Sequence, residues 1–328
     1  WDFQERFDTT IFFPNQGASS DDTAAAVGVE DDHKKLLAHI DAWEDAAKAS
    51  PRIFCGIFTH KINHSTRAIK ETWASRCDGF VTFSDVADLE LQTFKIKHEG
   101  PEEYGNMWQK SRAIWKYDNF HYRDDFDWFL LGGDDLFVIV ENLRKYLLSD
   151  EIQRAAGGLS KGGTNPMYLG RRFRMFDENH RVFNSGGAAY ALNQASLGVL
   201  AAHLDDDACH PHAETPWEDV MVAMCLHKNG VAAFDTRDAL GRERFHPFTP
   251  AVDFGFRMPQ EPEDRLVSGV VVGDWYTGWS IDLKFGRECC SRDSLSFHLV
   301  DEQLMERLYR LFYSCLEAPP IDLMVGPR

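Results

Sequence analysis

The sequence predicts an α/β fold with a mostly parallel, twisted sheet flanked by helices. Short apolar runs of strand length alternate with segments of helical periodicity, an order that is typical of strands joined by covering helices. One run, residues 128–131 in "DWFLLGGDD", is apolar without interruption, as expected of a central strand that is buried on both faces. With 328 residues, 44% of them hydrophobic, the chain is long enough for one large domain or two ordinary ones.

The first fifty residues differ in composition from the rest. Residues 9–29 are small and polar apart from one apolar cluster, which is typical of a linker. Residues 30–48 begin with acidic side chains and place apolar ones at helical spacing, which predicts an amphipathic helix. We therefore expect residues 1–50 to be a stem with one helix and residues 51–328 to be the main domain.

The predicted domain begins with strand, helix, strand, helix and strand in that order. Strands are expected at residues 52–60 and 79–85, with a helical segment between them around residues 67–77. Residues 106–121 have the apolar spacing of a helix and lead into the central strand at residues 128–131.

Two aspartates follow the central strand directly. Asp134 and Asp135 fall just past its carboxyl end, where open α/β sheets bind ligands. The same Gly-Gly-Asp-Asp sequence is also a good turn, with an aspartate capping the next helix, and local pattern alone leaves both interpretations open. Apolar residues at helix spacing come next, at Leu136, Ile139, Val140, Leu143 and Leu147.

The second half is less regular. Residues 183–204 combine a glycine-rich turn with an apolar helix, and Glu218 and Asp219 begin another helix, where acidic side chains also suit the helix dipole. Residues 294–300 alternate as a strand, with Leu295, Phe297 and Leu299 expected on one face and His298 on the other. A lone histidine of this kind is more often a hydrogen-bonded core residue than a metal ligand. Residues 301–316 predict a closing amphipathic helix.

The net charge of −17 argues against a general nucleic-acid surface, because phosphate binding requires a basic field.

Two carboxylates after a central strand and one imidazole suit a divalent metal that keeps open positions and holds substrate phosphates. A carboxylate at another helix start could then act as general base. These signals together predict a nucleotide-diphosphate substrate.

The compartment is indicated by weak signals. No stretch approaches the roughly 18 apolar residues of a membrane span, and no signal peptide precedes Trp1, so we expect a trimmed or mature segment. The seven cysteines lack zinc spacing, which leaves buried free thiols or disulfides. One glycosylation sequon, Asn63-His64-Ser65, falls in a polar segment that we expect to be exposed. Together the cysteines and the sequon favour a secretory lumen.

Seven motifs resemble, in the same order, those of the inverting glycosyltransferases of the fringe and β-1,3-galactosyltransferase family, most closely its core 1 group. The matches extend over residues 52–315, and although any one is weak, seven in sequence are a specific signal. They are "ETWASRC" (71–77), "DWFLLGGDDLFVIVENLR" (127–144), "GRRF" (170–173), "SGGAAYAL" (185–192), "EDVMVAMC" (218–225), "DTRDALGRERFHPF" (235–248) and "CCSRDSLSFHLV" (289–300).

The resemblance implies a GT-A catalytic domain over residues 51–328 that uses a UDP-sugar donor and Mn²⁺. Asp135 and His298 match the metal ligands of the family, and Asp134 matches the residue that faces the donor sugar. Asp219 matches the catalytic base, with Glu218 as an acceptor-binding neighbour or an alternative base.

Further contacts are implied by the same alignment. Lys110 is expected at the diphosphate, and Thr59 and Arg76 at the nucleotide. Gly186 and Gly187 are expected to approach the acceptor sugar, because glycine leaves room for a ligand beside the backbone.

Two positions depart from the family pattern. Gly133 replaces the first acid of the usual triplet, which puts donor affinity and donor identity in question. Trp217 replaces a small or aliphatic residue, so that it either stacks on an acceptor sugar or packs in the fold.

The cysteines match half-cystines of the family. The resemblance predicts the disulfides Cys55–Cys77 and Cys209–Cys225. A bond within the remaining set leaves one free thiol among Cys289, Cys290 and Cys315.

The function implied is transfer of a hexose, with galactose preferred, from a UDP-sugar to an acceptor glycan such as O-linked N-acetylgalactosamine on a protein. One alternative keeps the mechanism and changes the donor sugar or acceptor. Another is a non-catalytic relative that acts as a chaperone or glycan-binding protein, which the loss of the acid at Gly133 favours and the retention of four other site residues disfavours. The resemblance also implies a homodimer and a type II membrane protein of the Golgi lumen, with its anchor outside this segment.

Overall fold

The computed structural model describes residues 50–60, 63–175, 181–257, 266–267, 270–271 and 274–313. Apart from Ser50, these belong to one unit, Pro51–Arg328. The stem expected at residues 1–50 and its helix, as well as Cys315, lie outside the described residues.

Strands and helices are interspersed along the described residues. The strands are β1 (Ile53–Phe58), β2 (Gly79–Ser84), β3 (Thr93–Lys95), β4 (Trp128–Gly133), β5 (Phe137–Val138), β6 (Tyr168–Gly170), β7 (Arg172–Arg174), β8 (Val182–Asn184), β9 (Tyr190–Asn193), β10 (Phe245–His246), β11 (Leu266–Val267), β12 (Val270–Val271) and β13 (Ser296–Phe297). The helices are α1 (His64–Glu71), α2 (Met107–His121), α3 (Val140–Leu147), α4 (Asp150–Ala156), α5 (Gln194–His203), α6 (Glu218–Lys228), α7 (Pro250–Gly255), α8 (Asp274–Trp279) and α9 (Glu302–Tyr313).

The main sheet has six strands in the order β3-β2-β1-β4-β9-β6. The first four are parallel to one another, and β9 is antiparallel to both of its neighbours. The predicted α/β class, with a mostly parallel sheet flanked by helices, is therefore confirmed, and the architecture is compatible with the GT-A fold.

The sheet changes direction between β1 and β4. From β1 the chain proceeds outward to β2 and β3, and it later returns to place β4 on the other side of β1. The two strands are parallel and in register, with Phe58 opposite Gly133 at their carboxyl ends. Such a switch point opens a crevice beyond the strand ends, where ligands of α/β sheets bind. Thr59 and Asp134 are the first residues past the two strands.

Alternating side chains of the central strands fill two hydrophobic cores, one on each face of the sheet. In β1, Ile53, Cys55 and Ile57 point into one core, and Phe54 points into the other. The first core is closed by helices α1, α3, α4 and α9, and the second by α2, α5 and α6. This arrangement explains why the central strands read as continuous apolar runs.

A small three-stranded sheet joins distant parts of the chain. Strand β13 lies between β10, to which it is parallel, and β5, to which it is antiparallel. Because Phe297 pairs with Phe137, the chain that leaves β13 runs back beside the residues that precede β5. The N–H group of Val300 accordingly donates to the carbonyl of Asp135 at 2.9 Å.

Two expected element bounds are corrected by this sheet. The helix after Asp135 begins at Val140, not at Leu136, because Phe137 and Val138 pair with β13. The strand expected at residues 294–300 is limited to Ser296 and Phe297. Leu299 does not continue the apolar face, since its φ is 57° and its side chain is 41% exposed.

The described cysteines form three disulfides. Cys55–Cys77 and Cys209–Cys225 are present as predicted. The third bond joins the adjacent residues Cys289 and Cys290. No helix among the described residues has both the length and the apolar character required to cross a membrane.

Candidate active site

Asp134 is held at the switch point by two donors. The hydroxyl of Thr59, one residue past β1, donates to Oδ2 of Asp134 at 2.6 Å. The side-chain amide of Asn63, at the start of α1, donates to the same oxygen at 2.7 Å. The crevice predicted from the strand order thus contains a carboxylate whose direction is fixed by its neighbours.

Asp135 lies against His298. Nε2 of His298 is 3.2 Å from Oδ2 of Asp135, and the side chains are 24% and 39% exposed, respectively. The contact follows from the pairing of β5 with β13, which returns the chain past Asp135. The two residues that the sequence comparison assigned to one metal ion therefore meet in space at a surface that a ligand can reach.

The other ring nitrogen of His298 determines what its Nε2 can do. Nδ1 lies 3.1 Å from the carbonyl oxygen of Pro247. A carbonyl can only accept a hydrogen bond, so Nδ1 carries the hydrogen. In a neutral ring the lone pair of Nε2 then faces the Asp135 carboxylate. An imidazole held in this way by a backbone carbonyl is typical of metal-binding histidines.

The pair fits a divalent cation. A neutral imidazole and a carboxylate are both electron-pair donors, so facing each other they need a cation or a proton between them. Carboxylate and water oxygens suit Mn²⁺ and an imidazole suits Zn²⁺ or Fe²⁺, so the pair fits a divalent cation without selecting one. In the described part of the chain no group of three or more potential ligand side chains gathers, so water or substrate oxygens would have to supply the remaining positions.

Two consecutive glycines separate this pair from a second pair of carboxylates. A Cβ atom on Gly187 would lie within 3.0 Å of the His298 ring, at 2.8 Å from Nε2. A Cβ atom on Gly186 would collide with Oε1 of Glu218 and lie 3.3 Å from Cβ of Asp219. Without a Cβ atom at these two positions, the imidazole and the acidic pair can approach the same short segment of backbone unshifted.

Asp219 is half-buried at the first turn of α6. Its Oδ2 accepts the N–H of Gly186 at 2.9 Å, and its Oδ1 accepts the N–H of Val220 at 2.8 Å. Burial raises the pKa of Asp219, and the two backbone N–H groups oppose this effect because they stabilise the carboxylate.

Glu218 is in a different environment, although it is the adjacent residue. Its side chain is only 4% exposed and accepts a hydrogen bond from the Tyr190 hydroxyl at 2.8 Å. Burial and the charge of Asp219 raise the pKa of Glu218 to about 8. This environment favours the protonated acid at Glu218, whereas Asp219 has the exposure and the N–H donors that suit a charged carboxylate.

Lys110 lies beside the crevice but is already paired. Its ammonium donates to the carbonyl of Thr59 at 2.6 Å, pairs with Glu102 and is 2% exposed. Although burial of Glu102 opposes it, hydrogen bonds from Lys110 and His98 lower the pKa of Glu102. The predicted diphosphate contact of Lys110 would require this pair to open.

Arg76 is not brought to the site. It pairs with Glu141 at 2.6 Å and lies over the ring of Tyr313. Two residues further on, the N–H of Asp78 donates to the carbonyl of Ile53, at the amino end of β1. A six-residue strand is roughly 20 Å long, so Arg76 lies at the opposite edge of the sheet from the crevice. The nucleotide contact expected of Arg76 stays a prediction that this position does not support.

The remaining expected positions border the site. Trp217 directly precedes α6 and is 57% exposed, so its ring is accessible to a ligand. A Cβ atom on Gly133 would lie 3.1 Å from Oδ1 of Asp135, so the position that lacks the usual acid is crowded.

Sequence reasoning missed three residues that support the site. Asn63 binds Asp134, whereas the sequence indicates only a sequon at this position. Tyr190 and Pro247, which hold Glu218 and His298, lie in two of the recognised motifs, but nothing in the local pattern assigns them a role.

Several known proteins are similar to this chain. Glycoprotein-N-acetylgalactosamine 3-beta-galactosyltransferase 1 of Xenopus laevis is 28% identical over 266 residues, which cover 80% of this chain and 66% of that protein. Chondroitin sulfate synthase 3 of Homo sapiens is 24% identical over 236 residues, or 66% of this chain and 25% of that protein. The resemblance to β-1,3-galactosyltransferase-like glycosyltransferases is therefore confirmed. The chain spans just under two thirds of the length of the first relative and a quarter of the second.

Two further comparisons add little. No protein-family model matches the sequence. One solved structure, a glycosyltransferase involved in the glycosylation of the major capsid of PBCV-1, aligns with 56% of this chain and 82% of its own. The likeness is weak, with 13% identity and a TM-score of 0.32.

Proposed function

We propose that this chain is a metal-dependent inverting β-1,3-glycosyltransferase. It moves a hexose, with galactose as the preferred sugar, from a UDP-sugar to an acceptor glycan such as O-linked N-acetylgalactosamine on a protein. A glycoprotein-N-acetylgalactosamine 3-beta-galactosyltransferase is similar to this chain over 80% of its length, and this similarity supports the choice of donor and acceptor.

One observation carries the proposal. Asp135 and His298, which are far apart in sequence, approach within 3.2 Å at the carboxyl edge of the sheet, and Asp219 lies on the other side of two glycines. A purely structural role would not require a solvent-accessible imidazole, two carboxylates and two closely packed glycines at one crevice.

The donor half of the site contains Asp134, Asp135 and His298. A divalent cation such as Mn²⁺, held by Asp135 and His298, would neutralise the charge that develops on the departing UDP. Asp134, fixed through its Oδ2, accepts a hydrogen bond from a donor-sugar hydroxyl through its other oxygen. These contacts bind the donor and orient its anomeric carbon.

The acceptor half contains Asp219, Glu218 and Trp217. Asp219 takes the proton of the acceptor hydroxyl as that oxygen attacks the anomeric carbon from the face opposite to UDP. The new oxygen–carbon bond forms while the bond to the phosphate oxygen breaks, and UDP leaves with the electron pair. One displacement turns an α-linked donor into a β-linked product. Glu218 keeps its proton and holds Tyr190, and Trp217 stacks on the acceptor sugar.

The cellular setting is part of the proposal. Three disulfides favour an oxidising compartment. The resemblance adds the Golgi lumen, a type II membrane protein and a homodimer. A UDP-sugar and a glycan or glycopeptide are the partners that this setting supplies.

A panel of UDP-sugars tests the function directly. The protein is incubated with each donor, with and without Mn²⁺ and an N-acetylgalactosaminyl peptide, while UDP release and the thermal unfolding midpoint are measured. We expect turnover with UDP-galactose and a UDP-induced thermal shift that requires the metal. Asp135→Asn and His298→Ala should lose both.

The matched control is His203→Ala, which removes a histidine at the end of α5 that pairs with Asp206. It should behave as the unmodified protein. Turnover with a different UDP-sugar would show that the transferred hexose is not galactose. Absence of UDP release together with absence of a metal-dependent shift would contradict the enzyme and favour a chaperone or glycan-binding protein.

A further inference from the structure

Asn63 uses the two ends of its side-chain amide for different purposes. Its oxygen accepts the backbone N–H of Thr66 at 2.9 Å and thereby caps the first turn of α1. Its nitrogen donates to Oδ2 of Asp134 at 2.7 Å. Serine, threonine and aspartate cap helices as well as asparagine does, but among these residues only asparagine provides an N–H donor on the same side chain.

The two bonds to Asp134 leave one of its oxygens available. Thr59 and Asn63 both donate to Oδ2. Among the described residues, no side chain or backbone group donates to Oδ1. A carboxylate that is held by two donors on one oxygen presents the other oxygen in a fixed direction, which favours a bound ligand over rotation of the group.

We propose that Asn63 is a positioning residue for the donor: its amide directs Oδ1 of Asp134 at a hydroxyl of the UDP-sugar and couples helix α1 to the site. The proposal rests on the proposed function, because that function supplies the donor. It also implies that the sequon at Asn63 remains unmodified, since a glycan attached to the side-chain nitrogen would fill the crevice beside Asp134.

Two substitutions separate positioning from helix capping. Asn63→Ser keeps an oxygen for the cap and removes the donor to Asp134, and Asn63→Asp keeps the cap but adds a negative charge beside Asp134. For Asn63→Ser we expect the KM for the UDP-sugar to rise about tenfold, the loss associated with one hydrogen bond to a charged group. Asn63→Asp should raise it further. For Asn63→Ser, the acceptor KM and the thermal unfolding midpoint should stay near those of the unmodified protein.

Ser149→Ala is the matched control, because Ser149 caps α4 through Ile152, away from the site. It should lower the unfolding midpoint and leave the donor KM unchanged. The proposal is overturned if both Asn63 variants keep the original donor KM, or if active protein from a glycosylating host carries a glycan on Asn63. Failure of the unmodified protein to bind UDP or turn over any UDP-sugar would instead contradict the proposed function itself.

Discussion

At the scale of single residues, the adjacent acids Glu218 and Asp219 have divided roles because their surroundings differ. Replacing Asp219 by Asn keeps its size and removes the group that accepts the proton. We expect kcat to fall about 100- to 10,000-fold, the usual contribution of general base catalysis. UDP affinity, measured by calorimetry with Mn²⁺, should stay unchanged, since Asp219 lies in the acceptor half.

Glu218→Gln provides the comparison for that experiment. It keeps an oxygen that accepts the Tyr190 hydroxyl, and it mimics the protonated acid that burial favours. Its kcat should therefore stay within severalfold of the original. If Asp219→Asn remained active while Glu218→Gln lost activity, Glu218 would be the base and our assignment would be wrong.

The raised pKa of Glu218 also predicts how stability depends on pH. The folded state keeps the proton up to about pH 8, whereas the unfolded chain releases it near the ordinary glutamate value. The contribution of Glu218 to the free energy of unfolding is therefore complete below that ordinary value and decreases as the pH rises toward 8. Urea unfolding at several pH values should show that Glu218→Gln, relative to the unmodified protein, becomes progressively more stable over this window. A difference independent of pH would contradict the shift.

The site residues that the sequence could indicate are acidic side chains that stand directly after a predicted strand or at the start of a predicted helix. Asp134 and Asp135 directly follow a strand, and Asp219 lies in the first turn of a helix, so local pattern made them candidates and the family resemblance gave them their expected roles. The position of Arg76 depends on which end of β1 its segment approaches, and no local pattern encodes that. The amide of Asn63 was missed because its partner is 71 residues away.

At the scale of elements, the segment from Gly186 to Gly187 connects the two halves of the site. Gly187→Ala would place a methyl group within 3.0 Å of the His298 ring, so the ring or the segment must move. We expect the metal-dependent thermal shift with UDP to weaken at least severalfold and kcat to fall. The measurement is titration of Mn²⁺ at saturating UDP.

Gly105→Ala is the control for this substitution. Within the described part of the chain, a Cβ atom there meets only Glu103 Oε1, at an ordinary 3.7 Å, so metal affinity should not change. If Gly187→Ala bound Mn²⁺ and UDP as tightly as the control, His298 would not be a ligand in the proposed arrangement.

The accuracy of the predicted elements depended on their length. Long apolar patterns identified β1, β2, β4 and α2 to within a few residues, because burial against a sheet face or a core dictates their periodicity. The two-residue strands β5 and β13 pair with each other; alternation at residues 294–300 predicts a strand around β13, but it does not reveal β5 or the pairing between the two. They are also the elements that bring His298 to Asp135, so this contact could be expected only from a resemblance.

At the scale of the whole molecule, the two predicted disulfides differ from the third in the length of chain that each bond encloses. Cys55–Cys77 spans 22 residues and ties the buried centre of β1 to the segment before β2, whereas Cys289–Cys290 joins neighbours. Closing a loop removes conformational entropy from the unfolded chain, and a loop of this length corresponds to about 3 kcal/mol. A bond between neighbours encloses no loop of chain, so the same argument assigns it little stabilisation.

Paired substitutions compare the two bonds. Cys55→Ala with Cys77→Ala should lower the free energy of unfolding in urea by about 3 kcal/mol or more, because β1 also lines both cores. Cys289→Ser with Cys290→Ser should lower it by less than about 1 kcal/mol, since it relieves no loop constraint. An equal loss for both pairs would show that the adjacent bond stabilises the native packing around Glu243, whose backbone meets Cys290 in a β-bridge, rather than restricting the unfolded chain. Both bonds would then contribute to the stability of the molecule, although loop entropy predicts a large contribution from Cys55–Cys77 alone.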